Sequence, residues 1–460
     1  MQIFYNIIMG KKYRNSDFKN DTFYKKPQFY ERLRIARLAG KETYFNEVRK
    51  INNSKEGRKY IGDISIQDVF LDNWESFLDK YDAPSNPIRE SIKKSVNEMM
   101  DCQNPKNGVF VFKCPNCSNA LVVTKTCKSR FCPKCGKKYR DKIAISVSKK
   151  ILKMSHRQLV FTIPPELRSL FRIDRRLLGE LFASVNESLV FMFKRHAPKA
   201  YRKEGRRLGF ICFLHTYGRD LKWHPHIHVL YAENYLTKDG IVHKSDYLHF
   251  DALRKVFLFT ITNKIVNYFK KNESNKVSLK QIKSLCEAVK KRCNKGSYFY
   301  GPKQTSETSI SSVKAMANYI ARYASHPAIS ERRLTRYDKI EKKIYWYFDP
   351  HEDDTTTNEE DKLGRQDIVD NVDDFIKKLI IHIPEKGFQQ IRYYGFYSNA
   401  SYQKYVCGSK LFTNKDIEEL ILRNTYKHGI LWAFGYNPLL CQCGFEMVFA
   451  YEVSYYGGPT

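Results

Sequence analysis

The chain alternates between stretches with helical and with strand-like spacing of apolar residues. Helical spacing, with apolar positions recurring every three or four residues, is found at 64–100, 167–193, 252–270 and 311–327, and more weakly at 30–38. Pro84 and Pro87 divide the first stretch into two predicted helices. In the stretch 311–327, Ser311 or Ser312 can cap the helix and Pro327 ends it.

Runs rich in β-branched and aromatic residues predict strands at 158–163, 209–217, 223–230 and 332–349. A short turn beginning at Gly218 separates the second run from the third. Because so short a connection favours a hairpin, we expect these two strands to pair antiparallel at the centre of a sheet.

The strand at 223–230 carries three histidines at every second position. His224, His226 and His228 therefore share one face of the strand, and the residues between them face the opposite side. Successive imidazoles lie about 6.6 Å apart along the strand, close enough for two of them to bind one cation. The pattern predicts a metal site on a rigid element; the alternative is an edge strand with solvated histidines.

Two cysteine pairs predict a structural zinc site. Cys114 and Cys117 form one C-x-x-C pair, and Cys132 and Cys135 form another after fourteen intervening residues. Gly136, which follows the second pair, is expected to let the backbone turn tightly around the ion. Four thiolates are the tetrahedral donor set that Zn²⁺ prefers, and a site closed by four protein ligands is structural. In a chain without export signals, such clustering favours a reduced metal site over disulfides.

The spacing leaves open which four cysteines bind the ion. Cys102 and Cys127 lie within the same stretch and are further candidates. Near the end of the sequence, Cys441 and Cys443 form a half-knuckle, which is either a structural remnant or part of a second zinc site.

Charge points to a polyanionic partner. The 460 residues include 80 Lys and Arg against 49 Asp and Glu, a formal net charge of +31, so nucleic acid is the first candidate partner. The basic residues are interleaved with Tyr and Phe and do not line one amphipathic helix, which weakens a membrane-surface interpretation. Candidate DNA-binding cations lie beside the cysteines and in a basic loop: Lys128, Arg130, Arg202, Arg206 and Arg207.

No apolar run reaches the eighteen or so residues of a spanning helix, and the apolar N-terminal patch lacks a basic region and a cleavage site. We therefore expect a cytoplasmic, nucleoid-associated protein without membrane contact. The acidic stretch 351–361 is expected to be a solvated loop, the basic residues 1–60 an extension, and residues 392–397 a turn.

Several motifs in a fixed order resemble a known family. They are residues 126–135, 156–164, 214–218, 224–228 and 319–330. Together they resemble the HUH superfamily of single-strand DNA nucleases and, within it, the two-tyrosine rolling-circle transposases of insertion-sequence family ninety-one. The resemblance extends over about residues 60–335 and, more loosely, over the residues that follow.

The resemblance implies an α+β fold. In it, an HUH nuclease domain with a central antiparallel sheet flanked by helices follows a helical and zinc-knuckle N-terminal region. It also implies a catalytic Mg²⁺ or Mn²⁺ held by His226 and His228. The third protein ligand stays open, with His215, His224 and Asp220 as candidates.

The same resemblance assigns the nucleophiles. By themselves, Tyr319 and Tyr323, one helical turn apart, are ordinary packing residues; the family pattern implies that they attack DNA and form 5′-phosphotyrosine links. Arg322, between them, is then expected to contact DNA. The implied partner is single-stranded DNA at the element ends and at the target, and no nucleotide cofactor is needed.

These expectations divide the chain into five regions: a basic extension at 1–60, a helical module at 61–100, a zinc-binding domain at 101–145, the HUH nuclease/transposase domain at 146–335, and a C-terminal region at 336–460. Two alternatives share part of this pattern. A rolling-circle replication initiator has the same nuclease chemistry, whereas a zinc-containing DNA-binding protein would have no catalytic activity.

Overall fold

The computed structural model describes most of the chain. The described residues are 64–117, 119–196, 198–237, 240–244, 248–272, 277–297, 299–301, 310–323, 328–349, 364–405, 410–434 and 437–453. The predicted helix at 30–38, the N-terminal extension and the acidic stretch 351–361 lie outside the described residues, as does the side chain of Arg322.

The helices run in chain order as follows: α1 Ile66–Tyr81, α2 Glu90–Met100, α3 Pro133–Ser148, α4 Arg168–Ile173, α5 Leu177–His196, α6 Pro198–Arg202, α7 Phe250–Lys271, α8 Leu279–Arg292, α9 Val313–Tyr323, α10 Val372–Ile380, α11 Asn399–Tyr405, α12 Asn414–Arg423 and α13 Tyr426–Phe434.

The strands are β1 Val109–Lys113, β2 Ala120–Thr124, β3 His156–Thr162, β4 Gly209–Tyr217, β5 Trp223–Ala232, β6 Asn234–Leu236, β7 Val242–Lys244, β8 Phe299–Tyr300, β9 Leu334–Asp338, β10 Lys343–Phe348, β11 Gln366–Asn371, β12 Ile391–Gly395 and β13 Val448–Val453. All the strand pairs formed by these residues are antiparallel.

The chain divides into two compact units. The first is drawn from residues 1–142, 326–383 and 418–460, and the second from 143–325 and 384–417. Each unit is therefore assembled from segments that are distant in sequence.

The first unit contains two three-stranded sheets, in the orders β13-β1-β2 and β11-β10-β9. Helix α1 begins at Ser65, whose hydroxyl accepts a hydrogen bond from the backbone N–H of Gln67 at 3.1 Å. Strand β10 alternates buried and half-buried residues, so that one of its faces packs inward. Trp346 on this face lies 6.4 Å, between ring centroids, from Phe375 of α10. Helix α10 therefore covers the sheet that β10 occupies.

The second unit is organised around a five-stranded sheet in the order β12-β4-β5-β3-β8. The histidine strand β5 is its middle strand, paired with β3 on one side and β4 on the other. This arrangement confirms the predicted α+β fold with a central antiparallel sheet flanked by helices. No helix among the residues described in the structure is long and apolar enough to cross a membrane.

One face of this sheet is buried by helices α5, α7 and α8. The largest apolar core of the described chain lies there and includes Phe161 of β3, Phe210 of β4, Ile227 of β5 and Phe257 of α7, all fully buried. Burying a side chain of this kind stabilises the fold by roughly 1.5–3 kcal/mol. Because side chains alternate along each strand, the opposite face carries the histidines.

Two predicted elements differ from those observed. The helix predicted at 167–193 is divided into α4 and α5 at Asp174, whose carboxylate accepts hydrogen bonds from the backbone N–H and the guanidinium of Arg176. Apolar periodicity does not reveal such an interruption because the buried stripe continues across it. Residues 392–397 resembled a turn, but Ile391–Gly395 form the edge strand β12, and only its end at Gly395 turns.

Gly395 fixes the end of that edge strand and provides a stability test. Its φ is +59°, and an added Cβ would lie 1.7 Å from the carbonyl oxygen of Leu208. Gly205 is a matched control, with φ +65° and no heavy atom of the described residues within 4 Å of an added Cβ. We expect Gly205→Ala to lower the free energy of unfolding by about 1–2 kcal/mol through backbone strain alone. Gly395→Ala should lower it by roughly 3 kcal/mol or more.

Urea unfolding followed by circular dichroism measures both changes. Equal losses in the two variants would mean that the contact with Leu208 does not constrain the strand end.

Candidate active site and metal centres

The histidine cluster is formed by two neighbouring strands. His226 and His228 lie on β5, and His215 of β4 pairs directly with His226 in the antiparallel register. One ring nitrogen of each histidine lies within 4.8 Å of the other two. Paired residues on neighbouring strands have side chains about 4.5–5.5 Å apart, which is why the third member comes from β4.

Hydrogen bonding orients the two β5 imidazoles. Nδ1 of His226 lies 2.7 Å from the carbonyl oxygen of His224, so this nitrogen donates its proton and Nε2 is left as an acceptor. Nε2 of His226 is 3.1 Å from Nε2 of His228. This is close to the separation of about 3.0 Å expected for neighbouring ligands of an octahedral cation at 2.1 Å. The donor set therefore fits a divalent cation.

The other two candidates for the third ligand lie elsewhere. His224 is half-buried, its buried Nε2 has no hydrogen-bond partner among the described residues, and desolvation lowers its pKa to about 2. Its ring centroid lies 5.1 Å from that of His226, but His224 is two same-face steps along the strand from His228, and its ring nitrogens do not join the cluster. Asp220 instead forms an ion pair with Lys222 at 2.9 Å. His215 thus completes the set that the sequence left open.

Helix α9 carries both tyrosines to the same face of the sheet. It is capped by Ser312, whose hydroxyl accepts a hydrogen bond from the N–H of Ala315 at 3.2 Å. The rings of Tyr319 and Tyr323 lie 4.6 Å apart. Tyr323 lies against the histidine cluster, with its ring centroid 4.1 Å from that of His228.

The two phenols have different surroundings. Tyr319 is 6% exposed, its hydroxyl has no hydrogen-bond partner among the described residues, and burial raises its pKa well above the ordinary value. Tyr323 is half-buried, and its hydroxyl accepts a hydrogen bond from Nε2 of Gln158 on β3 at 2.9 Å. Gln158 was not among the site residues predicted from the sequence. The signal was present, because in the strand pattern 158–163 this polar side chain falls on the face opposite Leu159 and Phe161.

The cysteines of the first unit form two clusters of four. One contains Cys102, Cys127, Cys132 and Cys135, and the other contains Cys114, Cys117, Cys441 and Cys443. The set proposed from spacing, Cys114 and Cys117 with Cys132 and Cys135, is therefore divided between the two clusters. The spacing was misleading because each pair has its partners elsewhere in the chain, and the half-knuckle belongs to the second cluster.

Both clusters fit a tetrahedral zinc ion. Sulfur atoms bound to one Zn²⁺ lie about 3.8 Å apart. In the first cluster Cys102 and Cys127 each lie 3.6 Å from Cys135, and in the second Cys114 lies 3.4 Å from Cys443. These distances are far longer than a disulfide bond of about 2.05 Å.

Local backbone geometry favours thiolates at these positions. Cys135 lies in the first turn of α3, where Pro133 begins the helix and the helix dipole stabilises negative charge. The glycine that follows it therefore lies within a helix and does not form the tight turn that we expected. In the second cluster, the backbone N–H of Phe445 lowers the pKa of Cys443 to about 6.

Comparisons with known proteins match two segments of the chain. Residues 209–404 match the family described as "Putative transposase", and residues 69–163 match the family described as "Transposase zinc-binding domain". The transposase for insertion sequence element IS801 of Pseudomonas savastanoi pv. phaseolicola is 30% identical over 328 residues, which cover 70% of this chain and 73% of that protein. The chain belongs to the IS91 family of transposases.

A second relative of this family member is "Putative transposase y4qJ" of Sinorhizobium fredii (strain NBRC 101917 / NGR234). It is 24% identical over 346 residues, which cover 73% of this chain and 80% of that protein. No solved structure matches the chain. The family assignment confirms the resemblance seen in the motifs, and it favours transposition over the replication initiator and the non-catalytic DNA-binding protein.

The zinc-binding match in this family member includes only part of the cysteine set. Residues 69–163 contain all four members of the first cluster but only Cys114 and Cys117 of the second. Cys441 and Cys443 lie almost three hundred residues beyond the matched segment. Only the folded structure connects them to the zinc-binding domain.

The candidate DNA-binding cations have various surroundings. Lys128 and Arg202 are exposed, and Arg130 lies over the ring of Tyr139, 5.3 Å from its centroid. Arg206 pairs with Glu204. Arg207 also has structural contacts, since it donates to the carbonyl of Tyr201 at 3.2 Å and covers that ring at 4.7 Å.

The two cysteine clusters predict that the purified protein carries two zinc ions per chain. Replacing both Cys441 and Cys443 with serine should reduce the content to one, because two ligands cannot retain the ion of the second cluster. Cys293→Ser is the matched control, since this half-buried cysteine lies outside both clusters and should leave the content at two. Inductively coupled plasma mass spectrometry of protein purified without chelator measures the ratio. An unchanged content in the double variant would exclude zinc from the second cluster.

Proposed function

We propose that this IS91-family member cuts and rejoins single-stranded DNA through a covalent 5′-phosphotyrosine intermediate during rolling-circle transposition. Tyr319 and Tyr323 are its nucleophiles, and His215, His226 and His228 hold its catalytic cation. The observation that carries this proposal is the contact between Tyr323 and His228, with ring centroids 4.1 Å apart. A nucleophile and a cation site so close together can act on one phosphodiester.

The chemistry of the donor set bears on the identity of the cation. A divalent ion bound there supplies Lewis-acid polarisation of the scissile phosphate. The three imidazoles are softer ligands than carboxylates, so we expect Mn²⁺ to bind more tightly than Mg²⁺. The two zinc clusters lie in the other unit and act as structural supports for the zinc-binding domain.

The reaction balances without any cofactor that is consumed. The phenolic oxygen of a tyrosine attacks phosphorus, the bond from phosphorus to the 3′ oxygen breaks, and the phenol's proton is balanced by protonation of the leaving 3′ oxygen. One phosphodiester is thus replaced by another, and the reverse attack by a 3′-hydroxyl rejoins the strand without ATP.

Positively charged side chains and aromatic rings bind the DNA in this proposal. The exposed Lys128 and Arg202, together with Arg130, provide contacts to phosphates that carry no sequence information. Arg206, Arg207 and Arg322 remain candidates for the same role. In this proposal the protein is nucleoid-associated, and it cuts and rejoins single-stranded DNA at the ends of the element and at its target.

Cation binding by the histidine cluster is testable directly. We expect His226→Ala to weaken Mn²⁺ binding by at least about 10-fold. Loss of a residue that only supports a metal ligand typically costs about 10-fold to 100-fold in affinity, and His226 would be a ligand itself. His243→Ala is the control, because this half-buried histidine of β7 lies outside the cluster and should bind Mn²⁺ as the wild type does. Titration of zinc-loaded protein with Mn²⁺, followed by electron paramagnetic resonance, measures the affinity. Equal affinities in the two variants would remove the cluster from the proposal.

The covalent intermediate provides the test of function. Incubated with Mn²⁺ and single-stranded oligonucleotides from the flanks of its gene, the protein should form DNA adducts that survive denaturation. Replacing both Tyr319 and Tyr323 with phenylalanine should abolish them, because both proposed nucleophiles then lack the phenolic oxygen that attacks phosphorus. Tyr300→Phe, at an exposed tyrosine of β8, is the control. Adducts in the double variant would mean that another residue is the nucleophile.

A further inference from the structure

The two tyrosines of α9 are not equivalent in this structure. Tyr323 is half-buried, lies against His228 and accepts a hydrogen bond from Gln158. Tyr319 is 6% exposed, and its hydroxyl has no hydrogen-bond partner among the described residues. A buried hydroxyl without a partner costs roughly 1–3 kcal/mol, so a position that leaves it unpaired calls for a functional reason.

The spacing of the sheet explains the difference. Tyr319 packs on Phe213 of β4, with ring centroids 6.2 Å apart, whereas Tyr323 lies 6.1 Å from His215, the next residue on the same face of that strand. One helical turn of about 5.4 Å nearly matches the repeat of about 6.7 Å between same-face residues of a strand. The two tyrosines thus occupy successive places over β4, one apolar and one beside the cation site.

We propose that Tyr323 makes the first attack on DNA, and that Tyr319 becomes a nucleophile only after α9 has moved by about one turn along the sheet. This inference rests on the proposed function. It assigns an order to the two tyrosines, with Gln158 as a fixed positioning residue that donates to the phenolic oxygen of whichever tyrosine lies beside the cluster.

The buried face of α9 is suited to such a movement. Met316 and Ile320, both fully buried, are also four residues apart. A displacement of α9 by one turn would bring Tyr319 to the place of Tyr323. The same displacement would bring Met316 to the place of Ile320. One large apolar side chain replaces another, and exchanges of this kind cost little in packing energy. Stepwise shifts of one turn between packed elements are an established form of conformational change.

The order predicts different defects in the two single variants. Tyr323→Phe should lower the yield of the first adduct on a synthetic single-stranded oligonucleotide with Mn²⁺ by at least about 100-fold. Tyr319→Phe should keep this yield within about 2-fold and lose the later joining of a second strand. Because the Tyr319 hydroxyl is unpaired, its removal should not lower the melting temperature, so a folding defect does not obscure the comparison.

Peptide mass spectrometry of the wild-type adduct identifies the attached residue directly, and we expect Tyr323 to carry the DNA. Gln158→Leu should slow formation of the first adduct without changing oligonucleotide affinity, and Gln158→Asn should restore part of the rate. Equal adduct yields in Tyr319→Phe and Tyr323→Phe, or DNA on Tyr319 in the first adduct, would overturn the order while leaving the proposed function intact. The absence of any adduct in the wild type would overturn both.

Discussion

The second unit depends on the alternation of side chains along β5. The same strand buries Ile227 and Val229 in the core beneath the sheet and presents His226 and His228 on the opposite face. Because the repeat is two residues, a register shift of one position would move the imidazoles into the core and the aliphatic side chains to the site. The apolar packing that stabilises the sheet is therefore also what fixes the direction of the histidines.

The candidate site needs three neighbours of that strand. Strand β4 supplies His215 through its register with His226, and β3 supplies Gln158. Helix α9 then crosses the same face and brings Tyr323 against His228. Each of these contacts comes from a different element, so the geometry is held by rigid secondary structure and not by loops, which favours precise placement of reacting groups.

The features that could be predicted from the sequence were those encoded by residues close together in the chain. The pattern of β5 and the helical spacing around Tyr319 and Tyr323 are properties of a few consecutive residues, and both elements form as predicted. The choice among His215, His224 and Asp220 depended on the register between two strands, which no single strand encodes. The cysteine sets were harder to predict, because Cys441 and Cys443 lie more than three hundred positions from the other two members of the second cluster. Spacing within 114–135 gave no sign of them.

The second cysteine cluster also affects how the protein is made. Cys114 and Cys443 are 329 positions apart, so the cluster cannot close until synthesis has passed Cys443 and this residue has left the ribosome. Strand β1 also cannot pair with β13, its partner on one side, until β13 has been synthesised. Through that interval β1 has an open edge, a common starting point for aggregation. Closing so long a loop costs conformational entropy, which zinc binding offsets. Zinc supply during synthesis should therefore govern the yield of folded protein.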